Sequence, residues 1–120
     1  MITQKQVTID GINYTLSAFP ATRGLRIMKE LTKLVGPSFA AWAKGEDGIA
    51  GVVTKLVENL DAVNVETLVK EIVSGATKDN MSINFDIEFA GNYMVLFKLV
   101  KEVIEFNFGG VFTNLGSVGM

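Results

Sequence analysis

The segment from Tyr93 to Phe108 reads Tyr-Met-Val-Leu-Phe-Lys-Leu-Val-Lys-Glu-Val-Ile-Glu-Phe-Asn-Phe, and the placement of its charges constrains everything around it. Lys98, Lys101, Glu102 and Glu105 fall at i, i+3, i+4 and i+7, a single stripe covering roughly a third of a helix. The remaining circumference carries Met94, Val95, Leu96, Leu99, Val100, Val103 and Phe106. A helix that is apolar on most sides must be covered on most sides. Phe85, Phe89, Tyr93 and Phe97 recur at intervals of four, and Val100 and Ile104 continue them, so the spacing predicts one helix from Phe85 to about Phe106. Two readings of its body stand: a central core helix enclosed by the rest of the chain, or a helix with one side completed by another chain. Lys98 with Glu102 and Lys101 with Glu105 read as i, i+4 pairs, each contributing about 0.2–0.5 kcal/mol in the less favourable Lys-before-Glu order.

The rest of the sequence supplies covering elements. Val7 to Leu16 alternates apolar and polar on both sides of Asp10-Gly11, which marks a two-residue hairpin turn with Val7, Ile9, Ile12, Tyr14 and Leu16 on one face. Pro20 fits the first turn of a helix whose apolar positions are Leu25, Met28, Leu31 and Val35, stopped by Gly36-Pro37. Its other side is basic, with Arg23, Arg26, Lys29 and Lys33 against the lone acid Glu30; such a run is either a solvated face or a dock for an acidic partner. Pro37 to Ala43 reads as a short helical turn, and Lys44 to Gly48 as a polar loop. Ile49, Val52, Val53, Leu56, Val57 and Leu60 mark a second helix. Asn64 is a plausible N-cap for a third, with Val65, Leu68, Val69, Ile72 and Val73 on its stripe and Ser74-Gly75 at its end. Ala76 to Asn84 is polar and without periodicity, and reads as a loop.

With 120 residues the chain suits one domain. We expect a mainly α fold, a small helical bundle around a central C-terminal helix with a short N-terminal β-hairpin at about residues 5–17. The domain should span residues 1–107. Residues 108–120 hold glycines among Phe108, Val111, Phe112 and Leu115, with no charge, and read as a flexible, apolar tail that either folds back or docks into a partner.

Composition excludes several functions. A net charge of −2 gives no field for a phosphate backbone, so nucleic acid is not an expected partner. The chain has no histidine and no cysteine, which removes the commonest general base, metal ligand and thiol nucleophile. The acids are scattered, no phosphate-cradling loop occurs, and we expect neither enzyme activity nor a cofactor. The apolar segment is interrupted by charges and is no membrane span, and the N-terminus lacks the pattern of a signal peptide.

The segment Ile83-Asn84-Phe85-Asp86-Ile87-Glu88-Phe89-Ala90-Gly91-Asn92, then Leu96-Phe97-Lys98-Leu99 and Val103-Ile104-Glu105-Phe106-Asn107-Phe108, resembles the C-terminal region of tail assembly chaperones of long-tailed bacteriophages. The likeness extends to Val7–Tyr14 as an opening hairpin and to Pro20-Ala21-Thr22-Arg23-Gly24-Leu25-Arg26 as the start of the first helix. It implies a non-catalytic protein of the host cytoplasm that coats the apolar, helical tape measure protein before the tail tube forms, and that is absent from the virion. It also implies two product lengths related by a ribosomal frameshift, with the junction in the Gly109–Met120 region. A second copy of the chain and its frameshift-extended form are further partners compatible with this reading. Two other functions stay open: a structural tail component retained in the particle, and a helical protein–protein adaptor. For the client contact we expect Phe106, Phe108, Val111, Phe112 and Leu115, with Arg23, Arg26 and Lys33 as a secondary set. Replacing Phe108 and Phe112 together by Ser is then expected to leave folding nearly intact.

Overall fold

In the computed structural model, which describes residues 3–43, 49–59 and 65–117, Asp10 and Gly11 take φ of 50° and 82°. The side chains at 38–41, 43, 49 and 110–117 lie outside that description. Two successive positive φ values give the turn whose twist matches its flanking strands. β1 (Gln4–Ile9) and β2 (Ile12–Ser17) therefore pair in the expected register, with Val7 opposite Tyr14 and Ile9 opposite Ile12. Ile9, Tyr14 and Leu16 are buried, while Val7 and Ile12 pack against the core from its edge.

The expected loop after Gly75 is instead a second hairpin. β3 (Ala76–Lys78) pairs with β2 through Leu16–Ala76 and Thr15–Thr77, and β4 (Met81–Ser82) pairs with β3. The sheet is thus four-stranded and antiparallel, in the order β1-β2-β3-β4. Asp79 and Asn80 make its turn at φ of 54° and 62°, a backbone region that these short polar side chains tolerate better than other non-glycine residues. Strands of three and two residues are too short to show a two-residue period.

α1 (Ala21–Ala43) begins just after Pro20, whose carbonyl accepts the Gly24 N–H at 2.9 Å. Its buried stripe is Ile27, Leu31 and Val35, with Met28 and Leu34 beside it. Leu25, expected on that stripe, is 67% exposed, because it lies two residues and so about 200° around the helix from Ile27. Gly36-Pro37 kinks the helix and does not stop it. Proline cannot donate to the preceding turn, the backbone leaves helical geometry at Val35 (φ −133°, ψ 31°), and the helix resumes through Ala43.

α2 (Ile49–Glu58) buries Val52 and Leu56, and α3 (Val65–Val73) buries all five apolar residues of its stripe. Leu60, the Lys44–Gly48 loop and the cap assigned to Asn64 lie outside the described residues.

The helix expected from Phe85 is two helices. α4 (Phe85–Glu88) is capped by Asn84, whose side-chain oxygen accepts the Ile87 N–H at 3.3 Å. Gly91 then turns the chain at φ 72°, and the Asn92 carbonyl accepts the first N–H bond of α5 (Tyr93–Ser117), from Leu96 at 3.2 Å. This break resets the rotation, so the aromatic series does not continue along one face. Tyr93 is 64% exposed, whereas Phe89 is buried and stacks edge-on against Phe85 with ring centroids 5.4 Å apart.

Within α5 two lanes are buried: Val95, Leu99 and Val103, and beside them Leu96, Val100, Ile104 and Phe108. They rest against α1, α2, α3 and β1. The helix does not end at Phe106, since its backbone is α-helical through Ser117. Gly109 costs about 1 kcal/mol of helix propensity relative to Ala. The Trp42 ring lies 3.8 Å from where a Cβ on Gly109 would sit, an ordinary van der Waals distance.

Phe108, expected as the first residue of a flexible tail, is a core residue. It is 3% exposed and its ring lies 6.3 Å from that of Phe19. The Phe19 N–H donates to Asn107 Oδ1 at 2.9 Å, and Asn107 Nδ2 donates to the Val103 carbonyl at 3.1 Å. Gly75 lets the Phe19 ring close in, since a Cβ there would stand 2.8 Å from Cε1 of that ring and 3.2 Å from Val103 Cγ1.

Polar contacts join the same parts. The buried Tyr14 hydroxyl donates to Glu88 Oε2 at 2.7 Å, and Lys78 Nζ reaches that oxygen at 3.1 Å, so sheet and α4 share one carboxylate. Lys98 does not pair with Glu102: its ammonium lies 3.0 Å from Asp10 of the first turn, and no Lys101–Glu105 pair forms among the described residues. Helical geometry permits both i, i+4 pairs, but Asp10 offers Lys98 a partner that also ties α5 to the sheet.

Two consequences are measurable. Phe108→Ala should lower unfolding free energy by about 3–5 kcal/mol in urea titrations, the usual cost of emptying a buried phenylalanine site. Burial, and secondarily the hydrogen bond to and the charge of Glu88, hold the Tyr14 hydroxyl well above the usual tyrosine range. A pKa raised by folding contributes stability that is complete below the unfolded value of about 10 and is lost as pH rises past it. The urea midpoint should therefore fall above about pH 10, and Tyr14→Phe should make that fall shallower than in the unaltered protein.

Candidate functional site

α2 exposes more apolar surface than its neighbours cover. Val52 and Leu56 point into the core, leaving Val53 at its margin and Val57 37% exposed. α3 carries apolar residues at the same spacing and buries all five, so it is the placement of the neighbours, not the width of the arc, that leaves this flank of α2 uncovered. α5 has the same property at its start, where Met94 is 64% exposed and Phe97 only partly covered.

These two surplus faces meet. Ala50, Val53, Thr54 and Val57 of α2 and Met94, Phe97, Lys98 and Lys101 of α5 line a groove of about 350 Å³. Each wall uses i, i+3, i+4 and i+7, so each presents one continuous helical face. The floor is hydrocarbon and thioether, with the Thr54 hydroxyl the polar group of the α2 wall and two ammonium groups along the α5 wall. Met94 adds an unbranched, polarisable side chain that adapts to irregular apolar partners. Such a groove can seat an apolar helix face but offers no acid–base pair.

The residues expected from sequence lie elsewhere. Phe106 is half-buried against the core and Phe108 is inside it. Val111, Phe112 and Leu115 follow on the α5 backbone, with side chains outside the described set. Arg23 is exposed, Arg26 Nη2 is 2.6 Å from Glu71 Oε1 on α3, and Lys33 lies 4.0 Å from Glu30. The Arg26–Glu71 pair bridges two helices at the surface, a contribution of about 0–1 kcal/mol. None of the expected residues whose side chains are described lines the groove. Val53, Val57, Met94 and Phe97 were recognisable as apolar helix positions, and Lys98 and Lys101 as part of the charged stripe. What the sequence could not supply is which flank of each stripe the neighbours leave bare.

Among the described residues, no group of acids could hold a metal ion, and no helix is long and apolar enough to cross a membrane.

Comparison with known proteins places this architecture. The family model described as phage tail assembly chaperone protein, TAC, matches residues 10–119, from the first turn through α5. No curated protein and no solved structure matches the chain. The family match agrees with the resemblance read from the helix-start and C-terminal motifs, and the chain belongs to the phage tail assembly chaperone family.

Proposed function

We propose that this chaperone binds the tape measure protein during tail morphogenesis in the host cytoplasm, and that the groove between α2 and α5 is the contact. The observation that carries this reading is that the exposed Val57 and Met94 and the partly covered Phe97 meet along one continuous apolar groove. Contiguous apolar surface on a folded protein marks a place where something docks. A long helical client awaiting assembly has the complementary problem, an apolar face exposed before its permanent partner arrives. Seating that face in the groove solves both problems without catalysis. Val111, Phe112 and Leu115, farther along α5, extend the proposed contact beyond the groove.

Co-expression with the tape measure reading frame of the same phage tests this. The unaltered chaperone should keep the client soluble and co-purify with it. Met94→Asp, at an exposed position, should leave the circular dichroism spectrum unchanged and lower co-purification at least several-fold, because binding would bury a carboxylate without a partner. Undiminished co-purification by Met94→Asp would rule the groove out. A chaperone also leaves the finished particle, so mass spectrometry of purified virions should find no stoichiometric amount of this chain; finding it would favour a retained structural component.

A further inference from the structure

The charges at the groove are one-sided. Both ionic side chains on its lining are lysines, and both belong to the α5 wall; the α2 wall carries none. Lys98 is held from behind by Asp10 at 3.0 Å. Lys101, half-buried, forms no ion pair among the described residues. Asp10 and Glu102 line a separate depression together with both lysines, and Glu105 follows Lys101 by one turn of α5. The two ammonium groups thus form a ridge with carboxylates on its outer side and hydrocarbon on its inner side.

We infer that the groove selects an amphipathic client helix whose apolar stripe is flanked, on the edge facing α5, by Asp or Glu. This rests on the groove being the client site. An apolar stripe at i, i+3, i+4 and i+7 matches the spacing of both walls, and seven residues of rise correspond to about 10 Å, two turns of the incoming helix. Seating such a helix draws solvent away from Lys101. A carboxylate on the client edge supplies the counter-charge that Lys101 lacks among the described residues, a neutral edge supplies none, and a basic edge sets like charges together. Selection therefore acts through one flank of the client helix, and the apolar stripe alone does not determine affinity.

Three synthetic helices test this, identical in their leucine stripe and carrying Glu, Gln or Lys along one flank. Binding is read from the methyl resonance of Met94 in methionine-methyl-labelled protein, assigned with Met94→Leu. The Glu helix should bind tightest and the Lys helix weakest, with the difference narrowing as salt is raised. Lys101→Gln should weaken the Glu helix about two- to fivefold and leave the Gln helix unchanged. Lys101→Glu should reverse the order of the Glu and Lys helices. Equal affinity of all three helices, with the Met94 resonance shifting in each case, would overturn the charge selection while leaving the groove as client site. Failure of every helix to move Met94 would overturn the inference; the proposed function would fail separately, by undiminished tape measure co-purification with Met94→Asp. A Met94 shift that depends on protein concentration alone would put a second copy of the chain in the groove and overturn it as well.

Discussion

The fold depends on the close approach of Phe19 to Gly75. Three connections converge there: the link from β2 to α1, the exit from α3 into β3, and the middle of α5. The Ser17 N–H donates to the Gly75 carbonyl at 2.7 Å, and the Phe19 N–H donates to Asn107 Oδ1 at 2.9 Å. The Phe19 ring fills the space where a side chain on residue 75 would be, between Val103 and Phe108. A larger residue at 75 has nowhere to go without moving a ring whose own backbone is fixed by Asn107. This contact sets how α5 lies across the sheet and α3, and therefore which of its flanks is left for α2.

The parts of the fold readable from sequence were those in which one local rule acts alone. Asp10-Gly11 demands positive φ whatever surrounds it, and the hairpin follows with its register. The stripe of α3 follows the helical period alone, and all five of its apolar residues are inside. Where two rules compete, pattern alone picks wrongly. Leu25 and Ile27 both continue stripes on α1, and only the position of α2, α3 and α5 decides for Ile27. The four-residue aromatic series from Phe85 is a strong helical signal, yet Gly91-Asn92 interrupts it with a glycine suited to a left-handed turn and an asparagine suited to starting a helix. Those two residues were the available sign of the break. The β3–β4 hairpin left only Asp79-Asn80 as a signal, because its strands are too short for alternation.

The break at Gly91 bears on the site as well as the fold. A continuous helix from Phe85 would have kept Phe89 and Tyr93 on one face. With the chain turned, Phe89 goes into the core, while Tyr93 and Met94 at the start of α5 remain largely exposed. α4 is meanwhile fixed to the sheet through Glu88, which takes the Tyr14 hydroxyl and the Lys78 ammonium. The turn thus uses one aromatic residue to anchor the fold and frees the next stretch to face outward. Phe108, assigned from sequence to a flexible tail that either folds back or docks into a partner, shows the reverse: it is drawn in because Phe19 and Asn107 meet α5 there.

Apolar residues in excess of what the core can hold explain why the groove lies where it does. Val52 and Leu56 of α2 and both inner lanes of α5 are buried, while Val53 and Phe97 remain at the margin of the core. The outer flanks, with Val57, Met94 and Phe97, cannot follow without pulling Lys98 and Lys101 inside as well. Burying the Lys101 ammonium, which forms no ion pair among the described residues, and drawing Lys98 away from Asp10 would cost more than the additional apolar contact returns. The lysines therefore hold the groove open, and the same charges that keep it from closing on itself determine the kind of surface that can close it from outside.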